Sequence, residues 1–215
     1  MDSYQIGDRR PLASRGWKIS DKVARWLARR GATPNAISMV GMICGIFAGI
    51  MFALTTSAPH SVFFWFCGAA FVQLRLLANL YDGMVAVVRE VASPVGELFN
   101  EVPDRVSDAA TLIGFGYATG SNPVLGLVAT IFAIFVAYLR AQGKVAGAHQ
   151  EFCGPMAKQQ RMATVTIAAI ACAVVPGASD WQIPMFALWV IIAGCIVTII
   201  RRLQRIVTTL RRLIK

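Results

Sequence analysis

The chain has 215 residues, of which 56% are hydrophobic, and a mean hydropathy of +0.59, too apolar for an ordinary soluble domain; one domain of several membrane helices is the simplest reading. Its formal charge of +10 gathers in Arg9–Arg30, Arg140–Arg161 and Arg201–Lys215, a pattern of cytoplasmic flanks drawn to anionic lipid headgroups. No basic and aromatic groove pattern accompanies it, which argues against nucleic-acid binding.

Residues 1–10 are polar and read as loose, and the polar, basic first thirty residues carry no cleavable signal peptide. Residues 17–30 put Trp17, Ile19, Val23, Trp26 and Leu27 near one side and Lys and Arg on the other, as in a helix lying in the membrane surface. Gly31 to Asn35 breaks that helix. Six apolar runs read as spans follow, 36–54, 62–88, 95–117, 124–141, 162–175 and 183–200, the first of them long enough to cross a bilayer. The expected architecture is therefore all-α and integral to the membrane. Six transmembrane helices follow an interfacial N-terminal helix. One domain results, with a cytoplasmic or interfacial segment at 1–32, the bundle at 33–200 and a basic tail at 201–215.

Six spans put both ends on one side. The N-terminus, the 89–94 and 142–160 loops and the tail hold the positive residues, and the 57–60, 120–123 and 176–180 loops hold none. The first set is therefore expected to be cytoplasmic. His60 and His149 lie in loops and read as solvated. Cys44, Cys67, Cys172 and Cys195 lie in apolar runs. With Cys153 they form no metal spacing or close pair, so they read as small core residues without disulfides.

One stretch departs from this apolar pattern. Residues 79–108 hold six of the eleven acids, Asp82, Glu90, Glu97, Glu101, Asp104 and Asp108, with Asn79 and Asn100 among them. An ionised Asp facing lipid at the bilayer centre costs roughly 2.5–3.5 kcal/mol on insertion scales, so acids at this depth face a cavity or a partner. Ser93-Pro94 is a turn signal that divides the stretch into two helices. In an antiparallel hairpin Asp82 meets Asp104, Ala86 meets Asn100 and Asn79 meets Ser107. Steps of three and four place Asn79, Asp82 and Ala86 on one face, and Gly96, Asn100, Asp104 and Asp108 on another. Gly83, Ala86 and Gly96 are small enough to let the two backbones close together. Arg75 is expected to face protein or to snorkel. Oxygen ligands of this kind suit a hard cation such as Mg2+, Mn2+ or Ca2+, which points to a metal-assisted phosphate site. The alternative is a polar clamp between helices. Asp82 lies roughly 10 Å of helix from Arg89, so the site would be shallow and open to the cytosol.

Asp82-Gly83-x-x-Ala86, then Gly96, position 100 and Asp104, resemble the CDP-alcohol phosphotransferase signature D-x-x-D-G-x-x-A-R, eight residues, G-x-x-x-D-x-x-x-D, with matching spacing throughout. Thr33-Pro34-Asn35-x-x-Ser38 and Tyr138-x-Arg140-Ala141 resemble two further family features, and the likeness covers nearly the whole chain. The resemblance implies transfer of a phosphatidyl group from CDP-diacylglycerol to the hydroxyl of a small alcohol, releasing CMP. It implies one or two Mg2+ or Mn2+ ions held by the motif acids, with Asp104 also the base. Asp82 would be a ligand, and Asn79 and Asn100 stand where the motif has aspartates. Asp108, with Glu97 and Glu101 behind it, is the best candidate to restore the missing charge. Gly83, Ala86, Gly96 and Asn35 would lie on the nucleotide side. The motif arginine is Val87 here. Asparagine-bearing bacterial variants share R-x-x-x-N-x-x-D-G-M-x-A and G-E-x-x-N-E-x-x-D-x-x-S-D with this chain.

Arg140, Lys144, Lys158 and Arg161 flank the same opening and are expected to hold a substrate phosphate, which favours a phosphorylated acceptor; positive-inside anchoring is their plainer role. Expected partners are CDP-diacylglycerol, the acceptor, membrane lipids and, from the family, a second copy. The expected location is a bacterial inner membrane with the site facing the cytoplasm. A catalytically degenerate homologue that binds a nucleotide lipid or acts as a scaffold is the rival reading. A Mg2+-dependent prenyltransferase would need paired D-D-x-x-D patterns, which are absent.

Overall fold

The structure, a computed structural model, describes residues 18–57, 61–91 and 93–213. Those residues form seven helices: α1 (Lys18–Arg29), α2 (Pro34–Leu54), α3 (Ser61–Val88), α4 (Pro94–Gly116), α5 (Pro123–Val145), α6 (Lys158–Val174) and α7 (Ile183–Leu213). Trp17 and His60 fall outside the described residues.

Three of the helices begin by one local device. Thr33, Ser93 and Asn122 have extended backbones, and a proline follows each at the first helical position. Proline has no N–H to leave unsatisfied there, and the cap side chain accepts from the next exposed amides. Thr33 Oγ1 accepts from Ala36 N at 3.2 Å, Ser93 Oγ from Gly96 N at 3.1 Å, and Asn122 Oδ1 from Val124 N at 2.9 Å. Gly31, at φ +83°, supplies the left-handed turn after α1.

The six long helices pack in a closed ring, in the order α2, α3, α6, α7, α5, α4 and back to α2. The hairpin expectation needs correction here. α3 and α4 touch one another only sparsely, and α2 packs along both. Close approach comes from Gly45 and Gly49 of α2, and not from Gly96. A Cβ added at Gly45 would lie 2.4 Å from Ser107 Cβ, and one at Gly49 would lie 2.2 Å from Ala110 O. One added at Gly96 meets only Ser93 Oγ, at 3.3 Å. Thr111 Oγ1 donates to Gly45 O at 3.1 Å across the same seam.

The two ends of the bundle differ. At the end formed by the C-termini of α2 and α4 and the start of α3, Phe52, Trp65 and Phe115 close the core, with ring centroids 5.1–6.1 Å apart. The opposite end is polar and holds the cavity described below.

Four helices, α2, α3, α5 and α7, are long and apolar enough to cross a membrane. α4 is the acid-bearing helix and contains Pro103, and α6 has 17 residues. α1 packs on α3, buries Ser20 and Ala24, and exposes Ile19 and Trp26. α5 runs four residues further than expected, to Val145, and α6 starts four earlier, at Lys158. The expected tail is helical: α7 continues to Leu213, because nothing between Ile200 and Leu213 breaks it and Arg and Leu favour helix. The five cysteines are unpaired.

Candidate active site

Helical spacing brings the polar residues of α3 and α4 to one place, and the first turns of α2 join them. Asn35, Ser38, Asn79, Asp82, Gly83, Ala86, Gly96, Asn100 and Asp104 line one cavity of about 460 Å³. Arg140 of α5 and Lys158 and Arg161 of α6 complete its wall. The ends of five helices thus surround it, all at the polar end of the bundle.

Asn79 is the link between the two polar faces. Its Nδ2 donates to Asp104 Oδ1 and Oδ2 at 3.2 and 3.1 Å, and lies 3.3 Å from Asn100 Oδ1. It therefore meets residues 100 and 104, not Ser107. Asp82 is 3% exposed, and Ser38 Oγ donates to its Oδ2 at 2.8 Å, while Gly83 N donates to its Oδ1 at 2.5 Å. Lys158 Nζ lies 2.5 Å from Asp104 Oδ1, and Arg105 Nη2 3.8 Å from Asp104 Oδ2.

Two expected site residues do not line the cavity. Asp108 is 1% exposed, its Oδ1 paired with Arg75 Nη2 and its Oδ2 accepting from Arg161 Nη2 at 2.9 Å. Both oxygens are committed to guanidinium groups, so Asp108 anchors arginines and has no open face for a cation. Lys144 stands outside the wall, its Nζ 2.9 Å from Glu97 Oε1. Glu97 and Glu101 do reach the wall, but they face lysine and arginine: Arg140 Nη2 pairs with Glu101 Oε1, and Arg140 also lies 5.7 Å from the Phe152 ring centroid. Arg161 gives its guanidinium to Asp108 and to Met156 O at 3.1 Å, and Lys158 pairs with Asp104, while Arg161 Nε and Lys158 Nζ have no hydrogen-bond partner among the described residues. Of the four expected phosphate-binding cations, Arg140 is the one held at the cavity wall through a partly exposed pair.

Several lining residues were not singled out from sequence. Ser38 sits four residues after Pro34 in a quoted motif, so its signal was available. Arg105 adjoins Asp104. Phe152 and Arg202 had none, because their places depend on the loop between α5 and α6. That loop is strapped to α7: Arg202 Nε donates to Cys153 O at 3.1 Å and Met156 N to Thr198 Oγ1 at 3.0 Å. Gly154, at φ +113°, passes so close that an added Cβ would lie 2.4 Å from Thr198. Burial raises the Cys153 thiol above its ordinary pKa, which keeps it protonated and unreactive.

The donor set is two carboxylates and two amide oxygens, the chemistry of a hard-cation site. Among the described residues, no three Asp, Glu, His or Cys side chains converge. The set fits a divalent ion.

Comparison with known proteins places the whole bundle. A family model described as CDP-alcohol phosphatidyltransferase matches residues 31–200. The phosphatidylinositol phosphate synthase of Streptomyces avermitilis is 29% identical over 205 residues, covering 91% of this chain and 79% of the relative. That of Mycobacteroides abscessus is 26% identical, covering 89% and 85%. Among solved structures, the Mycobacterium tuberculosis phosphatidylinositol phosphate synthase with CDP-DAG bound has a TM-score of 0.72 at 20% identity, covering 88% of this chain and 94% of that one. The same enzyme in complex with manganese and citrate also has a TM-score of 0.72. At this identity the structures share the fold.

Proposed function

The chain belongs to the CDP-alcohol phosphatidyltransferase family, and we propose on that premise that it transfers a phosphatidyl group from CDP-diacylglycerol to the hydroxyl of a small alcohol, releasing CMP. The observation that carries the reading is the meeting of Asp82 and Asp104, from separate helices, in the wall of one polar cavity at the arginine- and lysine-rich end of the bundle. The relatives' names favour an inositol phosphate as acceptor, and Arg140 is the cation best placed to meet its phosphate.

In this reading Asp82 would be the main ligand of a divalent cation, with oxygens from Asn79 and Asn100 and one from Asp104, whose other oxygen Lys158 holds. When bound, that ion would supply charge neutralisation at the diphosphate and at the departing CMP. The chain's own residues do the rest. Ser38 and the Gly83 amide orient the Asp82 carboxylate. Asn79 orients Asp104, which takes the proton from the acceptor hydroxyl. Gly83, Ala86, Gly96 and Asn35 leave the nucleotide room on the α2 side of the cavity. α4 and α6 complete the expected six spans around this polar cavity, where a helix with acids is tolerated. The reading includes an inner-membrane location in a bacterium, a cytoplasmic opening, a single domain over 1–215 with its bundle at 33–200, and a homodimer.

A second reading has its own observation. Lys158 and Asn79 satisfy Asp104 internally, as expected for a degenerate homologue that binds the nucleotide lipid without turning it over. Purified protein given CDP-diacylglycerol and an acceptor panel separates the two. CMP release with a new lipid seen by mass spectrometry supports the transferase. Binding without CMP release for any acceptor supports the second reading.

A further inference from the structure

We propose that Lys158 is a built-in substitute for one of two divalent cations, so that this chain loads a single metal ion on the Asp82 side while the lysine ammonium holds Asp104. The inference rests on the transferase reading above and deepens it.

The first support is charge. The motif that this chain resembles has four carboxylates for two divalent ions. Asn79 and Asn100 remove two of those four negative charges. Asp82 and Asp104 bring two negative charges, and with the Lys158 ammonium set on one of them the site has little left to offer a second divalent ion. A second would face a large uncompensated repulsion at short range.

The second support is that a positive charge is already in place. Lys158 Nζ lies 2.5 Å from Asp104 Oδ1, and the lysine side chain is only 12% exposed. Lysine carries a compact point charge on a flexible stem, which suits it to a cation's place better than a planar guanidinium. Asn79 Nδ2 adds a donor to each Asp104 oxygen. A metal ion at Asp104 would have to displace both.

The third support is the contrast between the two carboxylates. Asp82 is buried, yet its hydrogen-bond donors are a neutral hydroxyl and a neutral amide, and among the described residues no ion pair within 4.0 Å reaches it, Lys158 acting on it only from further away. A buried carboxylate without a directly bonded charged partner is costly. Asp82 is therefore the side that calls for an added cation, and Asp104 is the side already served. Loss of the two motif acids and gain of an internal ammonium are one change in two parts.

The test is the number of Mn2+ ions bound by the purified full chain in detergent, counted by electron paramagnetic resonance and by calorimetry with Mn2+ alone, next to a CMP-release assay. The wild type is expected to bind one Mn2+ per chain. Lys158→Met should bind Mn2+ about tenfold or more tightly, the scale of removing a positive charge close to the site. Asn79→Asp with Asn100→Asp should still bind one strong ion while Lys158 is present, and two once Lys158→Met is added. Lys158→Gln serves as a second variant if Lys158→Met does not fold. Two equally tight ions on the wild type would overturn the inference, as would no change in Mn2+ affinity on loss of the lysine. If CMP is released in those cases, the transferase reading stands without the lysine. No Mn2+ binding together with no CMP release overturns both.

Discussion

Arg75 of α3 and Asp108 of α4 form an ion pair in which the side chains are only 1% and 2% exposed, and Arg161 of α6 takes the other Asp108 oxygen. One carboxylate thus ties three helices directly beneath the cavity, and Arg75 Nε adds a bond to Ser107 Oγ at 2.6 Å. Removing one partner of a buried pair leaves an uncompensated charge and costs roughly 3–5 kcal/mol. Asp108→Asn should lower the thermal unfolding midpoint in detergent markedly. An unchanged midpoint would show that the arginines find other partners. Mn2+ stoichiometry should be the same in the folded fraction, since Asp108 has no oxygen to spare for a metal.

Asp104→Asn keeps the size of the side chain and removes its ability to accept a proton. A general base contributes about 10²–10⁴-fold to rate. CMP release from the folded fraction should fall by that order, and the melting midpoint should drop as well, because the Lys158 ammonium loses its carboxylate. Turnover within a few fold of wild type would remove Asp104 from the base role.

Gly49 meets α4 backbone to backbone, with no room for a Cβ beside Ala110 O. Gly49→Val should destabilise the bundle by roughly 1–3 kcal/mol or more through overpacking, read as a lower detergent unfolding midpoint. Gly96→Ala, which meets only a serine hydroxyl, should leave the midpoint nearly unmoved. Equal effects at the two sites would contradict the seam between α2 and α4.

Chelation should stop the reaction if a divalent ion is needed. EDTA should reduce CMP release to background, and Mg2+ or Mn2+ should restore it. Activity that persists through exhaustive chelation would count against any metal role at Asp82.

Arg140 and Lys144 separate phosphate recognition from surface charge. Arg140 lines the cavity, and a charged hydrogen bond to a substrate phosphate is worth roughly 1.5–3 kcal/mol. Arg140→Met should raise the KM for a phosphorylated acceptor by about tenfold or more. The Lys144 side chain is 44% exposed and pairs outside the cavity, and surface pairs contribute about 0–1 kcal/mol. Lys144→Met should change KM by less than about twofold. Equal effects would move phosphate recognition off the cavity wall.

The amino-acid order alone determined where six long helices begin, and where five of them end, to within about four residues, because those signals are local. Thr33-Pro34, Ser93-Pro94 and Asn122-Pro123 act within one helical turn, and apolar runs show their own length. It also determined that Asn79, Asp82, Asn100 and Asp104 come together, since steps of three and four fix a helix face whatever packs on it. Only the tertiary structure decided how the helices neighbour one another. Gly45 and Gly49 insert α2 between helices that read as a simple hairpin, and a glycine shows its neighbour only when the neighbour is present. The same holds for charge. Asp108 read as a free acid and is committed to Arg75 and Arg161; Lys158 read as a phosphate-binding residue and holds Asp104 from 54 positions away. Pairings at such separations are chosen by packing, and no spacing in the chain encodes them.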